Sequence, residues 1–203
     1  MKVIQKIVAI LILIALLGFS GCSEEQVVLN DEEQAVFDSI KETLSRYTTT
    51  QENTLYAVVK DNETRWGVII RPDDALAYVL NEQGKAMSPT IEREKALQLR
   101  EYCRQIASTA LELMKFNYIS KVNTINLAEQ IGMKEDSPLF GIITYEFYID
   151  VEKAEAAGIV SGITSFCLTG VNTFNKHAII QIVGSTEQFS YFGVSFHEDD
   201  CTF

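Results

Sequence analysis

Residues 142–151, IITYEFYIDV, alternate apolar and polar side chains. Ile143, Tyr145, Phe147, Ile149 and Val151 fall on one side of an extended chain, with Thr144, Glu146, Tyr148 and Asp150 on the other. A period of two marks a strand with one face buried and one turned outward, which is the habit of antiparallel sheet. Downstream, Lys153 to Ala157 reads as a helical turn closed by Gly158, and three more strands follow near Ser165–Gly170, Lys176–Val183 and Phe189–Phe196.

Upstream the period changes. From Pro89 a long helix carries Leu99, Tyr102, Cys103, Ile106, Ala110, Leu113 and Met114 along one side as far as Phe116. A shorter helical turn is expected from Thr124 to Ile131, ending at Gly132, with a loop from Met133 to Pro138. Before the long helix lie Thr54–Lys60, Arg65–Arg71, Ala75–Leu80 and a fourth segment at Lys85–Met87, separated by turn-forming residues such as Asp61-Asn62 and Asn81-Glu82-Gln83-Gly84. Asn30 followed by Glu33 is a capping pair for a first helix over Asp31–Tyr47.

Hairpins in series with segregated helices give an α+β class: antiparallel sheet from two meanders with one long packing helix. The order can also be read as helix plus meander, twice, although the two halves share no residue-level similarity.

The N-terminus is of another kind. Lys2 and Lys6 are the only charges before the apolar run Ile7–Leu17, which gives way to Phe19-Ser20-Gly21-Cys22. A positive head, a short apolar stretch and small residues make a secretory signal, too short to be a stable span of ~20 residues. The last four residues resemble the lipobox of bacterial lipoproteins, with Phe19 where Leu is commonest. The resemblance covers the signal alone. It implies diacylation of Cys22 and cleavage before it, and Ser23 rather than Asp after the cysteine favours the outer membrane if the source has two. Residues 1–21 are then the signal peptide, 22–30 the lipidated cysteine and a short tether, and 31–203 a single α+β domain. Several acyl chains hold such a protein lastingly to the exported side of a membrane, where one chain binds only reversibly.

The chain has 17 basic against 28 acidic residues, a net charge of −11, and two of the lysines lie in the signal. Such a chain repels polyanions, so nucleic acid is not an expected partner. After Cys22, Cys103, Cys167 and Cys201 remain, an odd number for an oxidising compartment; one disulfide with one thiol, or three thiols, are both compatible with it.

Reactive groups do not converge in the sequence. His197-Glu198-Asp199-Asp200-Cys201 could ligate a metal, but neighbours on an extended tail point to alternate sides, so an acidic solvated end is the expectation, without metal or cofactor. A thiol nucleophile would need Cys103, Cys167 or Cys201 near His177 or His197, and the acidic surroundings oppose a thiolate. Glu146 and Asp150, four apart on a strand, are roughly 13 Å apart, too far to flank a glycosidic bond. Aromatic side chains are the remaining candidates for contact: Tyr148 on the polar face of its strand, and Tyr191 among Phe189, Phe192 and Phe196. The expected function is therefore that of a non-enzymatic, membrane-anchored envelope lipoprotein that contacts a protein partner, with Tyr148 and Tyr191 as candidate interaction residues. The alternative is a solute- or glycan-binding accessory domain with its pocket between the long helix and the sheet, and a hydrolase ranks third.

Overall fold

Asn30 opens the first helix. Its Oδ1 accepts from the backbone N–H groups of Glu32 and Glu33 at 3.0 and 2.9 Å, and Glu33 Oε2 accepts from the Asn30 N–H at 2.9 Å. This reciprocal cap satisfies donors that a helix N-terminus otherwise leaves orphaned, and it starts α1, Asp31–Thr49. The computed structural model describes residues 27–49, 54–87, 92–126, 129, 132, 143–172, 179–186 and 188–195.

Three strands follow: β1, Leu55–Asp61; β2, Thr64–Ile70; and β3, Ala75–Leu80. Asn62, at φ 51°, turns the first hairpin. Helix α2 covers Arg93–Leu113, and a 3-10 turn at Phe116–Tyr118 leads into β4, Ile119–Asn126. After β5, Ile143–Ile149, come a short helix α3, Val151–Ala156, and the strands β6, Ser165–Asn172; β7, Ile179–Ser185; and β8, Phe189–Ser195. The described strands form one antiparallel eight-stranded sheet in the order β3-β2-β1-β8-β7-β6-β5-β4. Two meanders are thus joined side by side through β1 and β8, with Val59 opposite Tyr191, and the chain has the α+β architecture expected of it.

The helices α1 and α2 pack against each other and lie on the same sheet face, α1 over β6 and α2 over β2 and β3. Phe37, Ile40 and Leu44 of α1 and Leu99, Ala110 and Leu113 of α2 are wholly buried there, against Ala57, Val59, Val68, Ala77, Phe147 and Leu168 of the sheet. Aromatic contact adds to this: the Phe37 and Phe147 rings lie 5.4 Å apart. One strand glycine lets α1 come close, since a Cβ at Gly170 would fall 2.3 Å from Val36 Cγ1, while a Cβ at Gly184 would press on the ring of Phe166 in the neighbouring strand at 3.0 Å.

Three local expectations change. The long helix ends at Leu113, and Ile119–Asn126 is a strand where Thr124 was expected to begin a helical turn. Gly132 nevertheless adopts φ +68° and donates to the Glu129 carbonyl at 3.2 Å. The alternating strand stops at Ile149, because Asp150 becomes the cap of α3, its Oδ1 accepting from the Lys153 N–H at 2.9 Å, and Val151 is the first helical residue. The segment at Lys85–Met87 makes only a bridge, Leu80 to Ala86.

A candidate binding groove on the helix-free sheet face

On the face away from α1 and α2, the register of β1, β2 and β3 sets up three cross-strand rows. Tyr56, Ile69 and Leu76 form one; Val58, Gly67 and Tyr78 the next; Lys60, Arg65 and Leu80 the third. The middle of the middle row has no side chain. The Tyr56 ring and Leu80 close over that position: a Cβ at Gly67 would meet Tyr56 Oη at 2.7 Å and Leu80 Cδ2 at 3.2 Å. Glycine inside a strand commonly marks such a close approach.

One wall is built by the turn after β3. Asn81 Oδ1 accepts from the N–H groups of Gln83 and Lys85 at 3.0 and 2.8 Å, Gly84 takes φ +76°, and Met87 N–H returns to the Val79 carbonyl at 2.9 Å. The turn stands over Leu80 and is held from β2 by Arg65, whose Nη1 donates to the Glu82 carbonyl at 3.3 Å. Tyr56, Ile69, Tyr78, Leu80, Gly84, Lys85 and Ala86 thereby line a half-open groove of about 510 Å³, inside the ~300–1,000 Å³ range of small-molecule sites. Burial raises the Tyr56 phenol above its usual range, and the nearby Arg65 charge partly offsets the rise.

Tyr148 stands on the same face at the far side of the sheet. Its hydroxyl donates to Glu146 Oε2 at 2.7 Å, Asn123 Nδ2 lies 3.5 Å from it, and the Lys121 ammonium sits 5.5 Å from the ring centroid. The hydrogen bond to Glu146 raises the Tyr148 phenol, and partial burial adds to it. The ring is thus engaged with its own neighbours rather than presented bare.

Tyr191 is a correction. It lies on the helix-covered face at 1% exposure, because the register that pairs it with Val59 puts it under α2. There it faces Tyr47 of α1 and Cys103 of α2, and burial holds all three groups protonated: both phenols are pushed well above their usual range and the Cys103 thiol is pushed up to about 12. The Tyr47 hydroxyl faces that thiol and the Tyr191 hydroxyl without reaching an acceptor in good geometry. Cys167, also raised by burial, lies 3.8 Å from Thr169 Oγ1. Both thiols are free, and neither is poised as a thiolate.

The space between α2 and the sheet, where a pocket was anticipated, is filled by Leu99, Cys103 and Ile106. The groove lies on the other face instead. Its only sequence signal is that β2 and β3 are apolar on both faces, as in Val68-Ile69-Ile70 and Ala75-Leu76-Ala77. Cys22, Cys201, His177 and the tract from His197 lie outside the described residues, as does Phe196. Among the described residues no three metal-ligating side chains converge, and no helix is long and apolar enough to cross a membrane. The chain matches no family model, no curated protein and no solved structure.

Proposed function

We propose that the protein is a non-enzymatic lipoprotein, anchored through acylated Cys22 to the exported side of a membrane, that serves as a solute-binding accessory module. The outer membrane is its place if the source has two, and the cell membrane if it has one. One observation carries the binding reading: a helix-free sheet face with a preformed apolar groove lined by Tyr56, Ile69, Tyr78 and Leu80 and walled by the turn at residues 84–86. Pockets of this kind, mostly apolar and concave, are where small molecules bind.

An envelope protein is the second partner this architecture favours. Strand β4 ends the described strand order and has exposed or half-exposed side chains from Ser120 to Asn126, so a strand from another protein can add to it.

Feeding cells an alkyne analogue of palmitate and separating membrane from soluble fractions tests the anchor. The wild-type chain is expected to carry the label at Cys22 and to sediment with membranes, and Cys22→Ser to lose both properties. A mature chain that begins at Met1, or a bare thiol at Cys22, would sink the anchor. A photo-crosslinking amino acid in place of Tyr78 tests the binding face in the same cells, and an unmodified chain after irradiation would remove that face from consideration.

A further inference from the structure

We infer that the groove binds a long-chain fatty carboxylate, the chain lying against Tyr56, Ile69, Tyr78 and Leu80 and the carboxylate held by Lys60, Arg65 and Lys85. The inference deepens the solute-binding reading and rests on the helix-free face being the binding face. It does not depend on the anchor.

The chemistry of the walls selects the chain. Tyr56, Ile69, Tyr78, Leu80 and Ala86 offer carbon almost throughout, with polar atoms confined to the two phenol hydroxyls and Lys85. A sugar or a peptide backbone laid there would leave its donors and acceptors unpaired, whereas an alkyl chain loses nothing by leaving water.

The charge at one end selects the head group. Lys60 and Arg65 are directly opposite each other across β1 and β2, in the row that ends at Leu80, and Lys85 lines the groove from the turn above. Like charges directly opposite on paired strands are destabilising, and this pair occurs in a chain of net charge −11. Glu63 and Glu82 are exposed in the flanking turns, yet among the described residues neither forms an ion pair with any of the three cations. A bound carboxylate supplies the missing countercharge, and Arg65, already beside the Tyr56 phenol and tied to the Glu82 carbonyl, is preorganised for it.

The test uses the full chain as purified from cells, with a diazirine analogue of palmitic acid added after purification so that it cannot enter through acylation of Cys22. Irradiation and peptide mapping are expected to place a saturable adduct on residues 78–87 or 56–69, displaced by unlabelled palmitate. Ala86→Trp, which fills the groove from an exposed position, is expected to cut labelling at least tenfold. The double variant Lys60→Gln, Lys85→Gln should cut it about fivefold, with both proteins melting like wild type. The diazirine analogue of hexadecanol should label at least fivefold less than the acid.

Equal labelling by the alcohol overturns the assignment of the head group, and displacement by a lysophospholipid at lower concentration than palmitate overturns the assignment of the ligand. Absence of a saturable adduct overturns the whole inference. If that absence is accompanied by cellular crosslinks from position 78, the binding face stands and only this ligand falls. If both fail, both readings fall.

Discussion

Val36 of α1 rests directly on Gly170 of β6, so close that a Cβ on the glycine would lie 2.3 Å from Val36 Cγ1. Ile40 Cδ1 would be the next atom met, at 3.2 Å. The helix is therefore seated on the sheet by the absence of one methyl group. Gly170→Ala is expected to destabilise the fold by ~1–3 kcal/mol through overpacking, and Val36→Ala in the same chain to recover most of that loss. Urea unfolding followed by the fluorescence of Trp66, the single tryptophan, measures both. Additive losses in the double variant would show that the two residues are not in contact.

The elements that were legible in the sequence are those with one face against the core. β5 alternates cleanly because Tyr145, Phe147 and Ile149 are buried under the helices while Glu146 and Tyr148 are not. The first helix was legible from its cap, Asn30 with Glu33, and from Phe37, Ile40 and Leu44. β4 was not. As an edge strand it buries only Ile119, and Lys121, Val122 and Asn123 carry no clear period, so helix and strand look alike there. Tyr191 was misplaced for a different reason: alternation reveals that a strand has two faces but not which one the helices cover. The groove was hidden because it depends on a register that sets Tyr56, Ile69, Tyr78 and Leu80 beside one another, a relation among three strands that no local pattern encodes.

Lys95 of α2 and Asp61 of β1 form an ion pair in which each side chain is 19% exposed. The Lys95 ammonium also lies 5.8 Å from the Trp66 ring centroid and 5.6 Å from that of Phe189. This places a cation among two aromatic faces and one carboxylate, tying the start of the helix to the first hairpin. Asp61→Asn is expected to cost ~1–3 kcal/mol, between the values for exposed and fully buried pairs. A double-mutant cycle with Lys95→Met in urea measures the coupling, and a coupling near zero would reduce the pair to a surface contact.

The cap of α1 gives a smaller and cleaner number. Asn30→Ala removes the acceptor for two backbone N–H groups and is expected to cost ~1 kcal/mol, while Asn30→Asp, which keeps an acceptor, should cost little. Thermal denaturation of both variants beside wild type decides it. Equal losses would mean that the side-chain amide, not its oxygen, holds the helix end.

The buried group of Cys103, Tyr47 and Tyr191 makes the fold sensitive to alkali. Burial pushes the Cys103 thiol up to about 12 from an ordinary 9.0, and lifts both phenols well above 10.0. Each group must stay protonated in the folded chain, whereas the unfolded chain releases its proton at the ordinary value. Between pH 9 and 12 the unfolded state therefore binds fewer protons than the folded one, and stability falls as pH rises, by at most ~1.4 kcal/mol per pH unit for each group titrating. Below pH 9 all three are protonated in both states and contribute no slope. The midpoint of urea unfolding is thus expected to hold steady up to about pH 9 and then decline, first through the thiol and then through the phenols. In Cys103→Ala the decline between about pH 9 and 10 should be shallower, the share of Cys103 being gone while Cys167, also raised by burial, still contributes. An equal slope over that range in both proteins would show that the thiol does not sit in the dry cluster with Tyr47 and Tyr191. Alkylation at pH 8 provides an independent check: the folded chain should leave Cys103 unmodified by iodoacetamide, and a readily modified Cys103 would contradict its burial at 1% exposure.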